Sequence, residues 1–283
     1  MLLVADSGST KCDWLVTSSG EEEGRFHTMG FNPFFHDSEL IKSEILKNEG
    51  LAQLAPSIKE LYFYGAGVSS VDRIAIVEAA LKQVFVNAEI LVDHDLLGSV
   101  FATCGDDNGI SCILGTGSNS CLYQGGEIYE EVPALGYILG DEASGAYFGK
   151  EILKLFLYHD LPEEINQALI SEYKITKEGI FESVYKQPNA NVYLASFVRV
   201  LSDFKEMPWV KELLLKGFET FLKVHVCKYK NHLELPIHFV GSVAFHFQEV
   251  LKEACVNKGL SLGVITNEPI LNLLKYHWDR RKT

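Results

Sequence analysis

The sequence is poor in positive charge, has no long apolar run and contains no closely paired cysteines. Lys and Arg number 25 against 38 Asp and Glu, a formal charge of −13 over 283 residues. A surface this acidic repels phosphate backbones and anionic lipid, so neither nucleic acid nor membrane is expected as a partner. The one dense basic run, Arg280-Arg281-Lys282, is expected to be a solvated helix end. The longest uncharged stretch, Asn108 to Gly126, is full of Gly, Ser, Thr and Asn, whereas a membrane helix takes about 20 apolar residues. The opening apolar run stops at Asp6 without a basic start, short of the roughly 7–15 apolar residues of a signal peptide. Cysteines at 12, 104, 112, 121, 227 and 255 never occur as Cys-x-x-Cys. They are expected as free, mostly buried thiols in a reducing cytoplasm. With 47% hydrophobic residues, the chain can fill a sizeable core, as one large domain or two of ordinary size.

What is present is an alternation of strand and helix patterns. Leu2 to Ala5, Cys12 to Thr17, Gly24 to Met29, Leu61 to Tyr64 and Glu89 to Val92 read as strands. Between them, Ser38 to Lys47 and Val71 to Phe85 repeat apolar residues at helical spacing; Ile74, Val77, Leu81 and Val84 mark the second. Ile110 to Leu114 opens a second half, with helices expected near 144–158, 162–172, 190–204 and 208–230. A strand at Pro236 to Val240 and a helix to about Asn257 follow. This alternation predicts an α/β layer fold. The boundary is expected near residue 105, giving lobes 1–104 and 105–267, with a C-terminal helix over 268–283 returning to the first.

The two halves open alike. Leu3-Val-Ala-Asp-Ser-Gly-Ser-Thr-Lys-Cys12 parallels Cys112-Ile-Leu-Gly-Thr-Gly-Ser-Asn-Ser-Cys121, which points to a duplicated α/β unit. Each bend exposes backbone N–H groups and hydroxyls that can hold phosphate oxygens without fixed positive charge. Neither is a Walker loop, because the Gly-x-x-x-x-Gly-Lys-[Ser/Thr] spacing is absent and strand follows each bend. Two such bends could face each other and grip one polyphosphate. Asp6, at the end of the first strand, suits a hydrated Mg²⁺, which takes few protein ligands. It also suits a turn-forming Asp bonded to its own backbone.

These residues carry a resemblance. Asp6-Ser-Gly-Ser-Thr-Lys11 resembles the first phosphate motif of the actin, sugar-kinase and chaperone ATPase superfamily, and Leu114-Gly-Thr-Gly-Ser-Asn119 resembles the second. Phe239-Val-Gly-Ser-Val243 resembles its adenosine motif. Within that superfamily the chain is most similar to N-acetylglucosamine kinases and the related BadF/BadG-type ATPases. Asp95-Leu-Leu-Gly-Ser99 resembles the segment with the catalytic Asp, Gly136-Tyr-Ile-Leu-Gly-Asp-Glu-Ala-Ser144 the Gly-Asp-Glu-Gly-Ser segment, and Phe31-Asn-Pro33 the place of a sugar-contacting Asn.

The resemblance implies duplicated ribonuclease-H-like (actin-like ATPase) domains, mixed sheets flanked by helices, with a nucleotide and sugar cleft between them. It implies an ATP-dependent, Mg²⁺-requiring sugar kinase acting on the 6-hydroxyl of N-acetylglucosamine. Its partners would be small molecules only, in the cytoplasm, with a homodimer left open. Phosphate and nucleotide contacts fall on Ser7, Gly8, Ser9, Thr10, Lys11, Gly115, Thr116, Gly117, Ser118, Gly241 and Ser242. Sugar contacts fall on Asn32, Gly67, Asp95, Thr116, Gly117 and Asp141, and the metal on Asp6. The chain departs from the family near Leu135, where a Trp is usual, and at Asn267-Glu-Pro-Ile-Leu-Asn-Leu-Leu274, where a Gly/Ala-rich helix start is common. The Cys clusters of iron–sulfur activators and of zinc-bearing glucokinases are missing.

The base has a chemical rationale of its own. A sugar hydroxyl is a poor nucleophile at neutral pH, and a carboxylate in hydrogen-bond reach can orient it and accept its proton. Asp95 follows a strand end, where ligands of open α/β sheets bind. Asp93 is its rival, and either could instead cap the next helix. Asp141 could read a sugar hydroxyl or cap a helix. Asn32 before Pro33 could be a turn residue, Lys11 a solvated hairpin residue, and Glu142 an orienting group for Asp141. Two other readings compete. One is a sensor on the same scaffold that binds without turnover. The other is an NAD-type oxidoreductase built on Tyr64-Gly-Ala-Gly-Val-Ser-Ser70, in which Ser70 replaces the third Gly.

Overall fold

A computed structural model describes residues 1–8 and 10–281; Ser9, Lys282 and Thr283 lie outside the described residues. The chain divides into two compact units, one of Met1–Asp106 with the segment from Glu268, the other of Asp107–Asn267.

In the first unit, β1 (Leu2–Ser7), β2 (Lys11–Thr17) and β3 (Gly24–Met29) form an antiparallel meander. After α1 (Ser38–Lys47) and α2 (Glu49–Leu54) the chain adds β4 (Glu60–Gly65), α3 (Val71–Val84), β5 (Glu89–His94) and α4 (Asp95–Thr103). Strands β4 and β5 are parallel to β1, giving the order β3-β2-β1-β4-β5. β1 is buried on both faces, as a central parallel strand must be. One face packs Trp14, Phe31, Phe63 and Phe85 against α1 and α3.

The second unit repeats this plan. It runs β6 (Gly109–Leu114), β7 (Ser118–Gln124), β8 (Glu127–Tyr129), α5 (Gly136–Leu139), α6 (Gly145–Tyr158), α7 (Glu163–Ser171), α8 (Lys177–Tyr185), α9 (Ala190–Ala195), α10 (Val198–Asp203) and α11 (Pro208–Val224). It closes with β9 (Pro236–Val240), α12 (Ser242–His246), α13 (Gln248–Asn257) and β10 (Ser261–Thr266). Its sheet order, β10-β9-β6-β7-β8, is again meander then parallel strands. The expected duplication is therefore a duplication of topology as well as of two bends.

The chain ends with α14 (Pro269–Arg280), which returns to the first unit and covers the second face of its sheet. Ile270, Leu273 and Leu274 join Leu2, Val4, Leu15 and Tyr64 in a core there. The basic terminus is not merely solvated. Arg280 pairs with Asp106 and lies over the Tyr276 ring, while Arg281 pairs with Glu60 at 2.8 Å and lies over Trp278. The helix expected over 190–204 breaks between α9 and α10, where Ser196 and Phe197 turn.

Candidate active site

In the first unit the parallel register places Ser7, Gly65 and His94 side by side at the carboxyl ends of β1, β4 and β5. The loops leaving that edge hold the expected residues. The bend after β1 closes with the Gly8 amide donating to the Lys11 carbonyl at 3.0 Å. Ser7 is fully buried, and its hydroxyl accepts from the Phe31 amide at 2.8 Å. The Gly30 amide donates to Thr10, and the Ala66 amide to Ser7. Three loops are thereby tied together, bringing Asn32 and Gly67 to the bend. Gly67 has φ of +78°, and a Cβ there would stand 2.5 Å from Asn32 Oδ1, so only glycine fits. Asn32 Oδ1 accepts from the Phe34 amide at 3.0 Å, which makes it a turn residue as well as a candidate contact.

The electrostatics centre on Asp6. Burial, then the charges of Asp13 and Asp95, push its carboxyl up to about 7, against a weaker pull from Lys11. The Lys11 ammonium pairs with Asp13 at 2.8 Å, and His27 meets the same carboxylate at 2.6 Å. Among the described residues no three His, Cys, Asp or Glu side chains gather as a metal site, so a cation here could take Asp6 as a protein ligand with water as the rest of its shell. Asp95 opens α4, but it is not the cap. His94 caps the helix, its Nδ1 accepting from the Leu97 amide at 3.3 Å. Asp93 accepts from the His94 amide at 2.8 Å and pairs with that ring at 3.5 Å. Asp95 accepts from the Leu96 amide at 3.0 Å. Gly98 explains the tight start of this helix: a Cβ would press to 2.8 Å from Tyr64 Cβ on β4.

In the second unit, the bend after β6 and the turn before α6 form one structure. The Gly115 amide donates to Gly117, the Gly145 amide to Gly115 at 2.8 Å and the Ala146 amide to Thr116 at 3.0 Å. The Ser118 amide donates to Asp141 Oδ1 at 3.3 Å. A Cβ on Gly117 would stand 3.0 Å from the same carboxylate. Asp141 is buried and its carboxyl is raised, chiefly by that burial. It does not cap the helix; Ser144 does, accepting from the Tyr147 amide at 3.1 Å. Gly241 follows β9 with φ of +118°, where a Cβ would collide with the Leu114 carbonyl.

A cavity of about 320 Å³ opens beside this bend. Gly115, Thr116 and Ser242 line it, as do Gly145, Ser196, Arg199, His246 and Phe247. The last four were not legible in the sequence, because Ser196 comes from the α9–α10 break, Arg199 from α10, and His246 and Phe247 from the end of α12, with no motif spacing to link them. Ser118 Oγ is buried with no hydrogen-bond partner among the described residues. Such a cradle of small residues, backbone amides and hydroxyls fits a phosphorylated ligand.

Both halves thus present Gly-containing bends at the carboxyl ends of duplicated mixed sheets, which is the architecture of the actin-like ATPase superfamily. Comparison with solved structures agrees. A protein of Porphyromonas gingivalis that carries the provisional name N-acetylglucosamine kinase is 42% identical, with 99% of this chain and 100% of that one aligned at a TM-score of 0.93. The chain belongs to this N-acetylglucosamine kinase family of sugar kinases. A second protein with the same provisional name, from Chromobacterium violaceum, shares the fold at 19% identity, a TM-score of 0.71 and coverage of 97% and 98%. A ROK family glucokinase from Streptomyces griseus, solved with glucose and AMPPNP, shares it at 12% identity and a TM-score of 0.58, with coverage of 100% and 99%. Comparison with family models and with curated proteins finds no match.

Proposed function

We propose that this chain is an ATP-dependent kinase that phosphorylates the 6-hydroxyl of N-acetylglucosamine. The observation that carries the reading is the full-length 42% identity to the P. gingivalis protein. The placement of Asp95 at a strand end, close enough to raise the carboxyl of Asp6, supports it further.

In this reading the second unit takes the nucleotide. The amides and hydroxyls of Gly115, Thr116, Gly117 and Ser118 would meet phosphate oxygens, and the cavity by Gly241 and Ser242 would take the nucleoside. Gly8, Thr10 and Lys11 of the first bend would meet phosphate too, with Ser7 holding that bend through Phe31. Mg²⁺ held at Asp6 would offset phosphate charge. Asn32, Gly67 and Asp141 would position the sugar. Asp95 would orient the 6-hydroxyl and accept its proton as the oxygen bonds to the γ-phosphorus and the bridging bond to ADP breaks.

The test is product analysis. Protein, Mg·ATP and N-acetylglucosamine should yield ADP and a sugar phosphate whose phosphorus couples to carbon 6 in the NMR spectrum. ATP and sugar binding without ADP release would favour a sensor. Phosphorylation of glucosamine or glucose in preference would relocate the specificity.

A further inference from the structure

We propose that His225 is a positioning residue, holding the turn that carries Asp141 through its contact with Glu142. The inference rests on the proposed role of Asp141.

The turn needs holding. Asp141 and Ala143 both have left-handed backbones, with φ of 57° and 56°, which residues with a Cβ adopt only when their surroundings impose it. Glu142 lies between them and turns inward. Its Oε2 is 3.4 Å from His225 Nε2. His225 follows α11, is 3% exposed, and stacks on Phe221 at 4.7 Å between ring centres. Its Nδ1 is 3.4 Å from Ser120 Oγ. That hydroxyl is 2.9 Å from the Tyr229 hydroxyl, which also donates to the Ser120 carbonyl at 2.8 Å. Ser120 is two residues along β7 from Ser118, whose amide Asp141 accepts.

The chain of contacts therefore runs from Tyr229 through Ser120, His225 and Glu142, and back to the bend through Asp141. Burial lowers the His225 pKa, partly offset by Glu142. A neutral ring suits both contacts: Nε2–H donates to the carboxylate and Nδ1 accepts from Ser120. Buried networks of this kind fix one arrangement of the groups they join.

Two measurements on the full chain test the proposal. In His225→Phe, which keeps the stacking and removes both polar contacts, amide hydrogen exchange at Ser118, Gly145 and Ala146 should quicken about tenfold or more while the first-unit sheet is unchanged. The KM for N-acetylglucosamine should rise about tenfold, more than the KM for ATP, because Asp141 sits on the turn itself. His225→Gln, which can still bond Glu142, should recover most of the sugar KM. Unchanged exchange at those amides overturns the proposal. So does faster exchange in an active enzyme whose sugar KM does not move. If wild-type protein phosphorylates no sugar, the kinase reading fails, and the exchange result alone decides whether His225 holds the turn.

Discussion

A carboxylic acid in water gives up its proton near pH 4, but Asp6 keeps its proton to about pH 7, because burial and the neighbouring charges of Asp13 and Asp95 oppose ionisation. Between those values the folded chain holds a proton that the unfolded chain has lost. Stability therefore falls as pH rises through this window. Asp6→Asn should raise the melting temperature of the ligand-free protein above about pH 7 and leave it unchanged near pH 4. The same substitution removes the proposed Mg²⁺ ligand, so sugar-dependent ADP release should drop sharply at every pH. In wild type at limiting Mg²⁺ that activity should decline as pH falls below about 7, where the proton competes with the cation for Asp6, and excess Mg²⁺ should move the decline to lower pH. A pH series of thermal melts and initial rates on both proteins checks each part. Asp6 could be singled out from its place after a strand; its shifted titration could not, since Asp95 comes near it only through the alignment of β1, β4 and β5.

At the scale of elements, α14 turns a half-covered sheet into a closed unit. His277 lies within it, 2.8 Å from the Tyr64 hydroxyl and stacked on Tyr62 at 3.7 Å. Burial lowers its pKa to about 4. The unfolded chain binds a proton there near pH 6.5 and the folded chain does not. Stability is thus present above about 6.5 and is lost as pH falls toward 4, by up to roughly 3 kcal/mol. Acid melts should show this decline, and His277→Gln should flatten it. Leu273, fully buried between α14 and the sheet, should cost about 2–5 kcal/mol when cut to Ala, read from denaturant unfolding. Strong periodicity made α3 legible, and short continuous apolar runs did so for β1 and β2. α8 escaped notice because Ile180 is its one buried residue. β10 did so because Gly263 interrupts a short run, tolerated where His238 packs beside it. The break at Ser196 was hidden by a continuous helical pattern, though it is this break that turns Ser196 and Arg199 toward the cavity.

At the scale of the whole molecule, the duplication was readable because the two bends repeat in sequence, and the five strands of each unit follow one order, meander then parallel strands. The candidate site was readable where a motif is continuous, as at Asp95 to Ser99 or Leu114 to Asn119. It was not readable where distant elements meet, as with His225 after α11. Charge works at this scale too: a net −13 gives no general pull on anionic substrates, so nucleotide capture falls to local amides and to the cation proposed at Asp6. The chemistry proposed for the site turns on Asp95 accepting the proton of the sugar hydroxyl. The most direct measurement is the turnover of Asp95→Asn with saturating Mg·ATP and N-acetylglucosamine, beside calorimetric sugar binding. Loss of the proton acceptor should lower kcat by a factor of about 10²–10⁴, with sugar affinity kept within a few fold. A variant that turns over at the wild-type rate would contradict it.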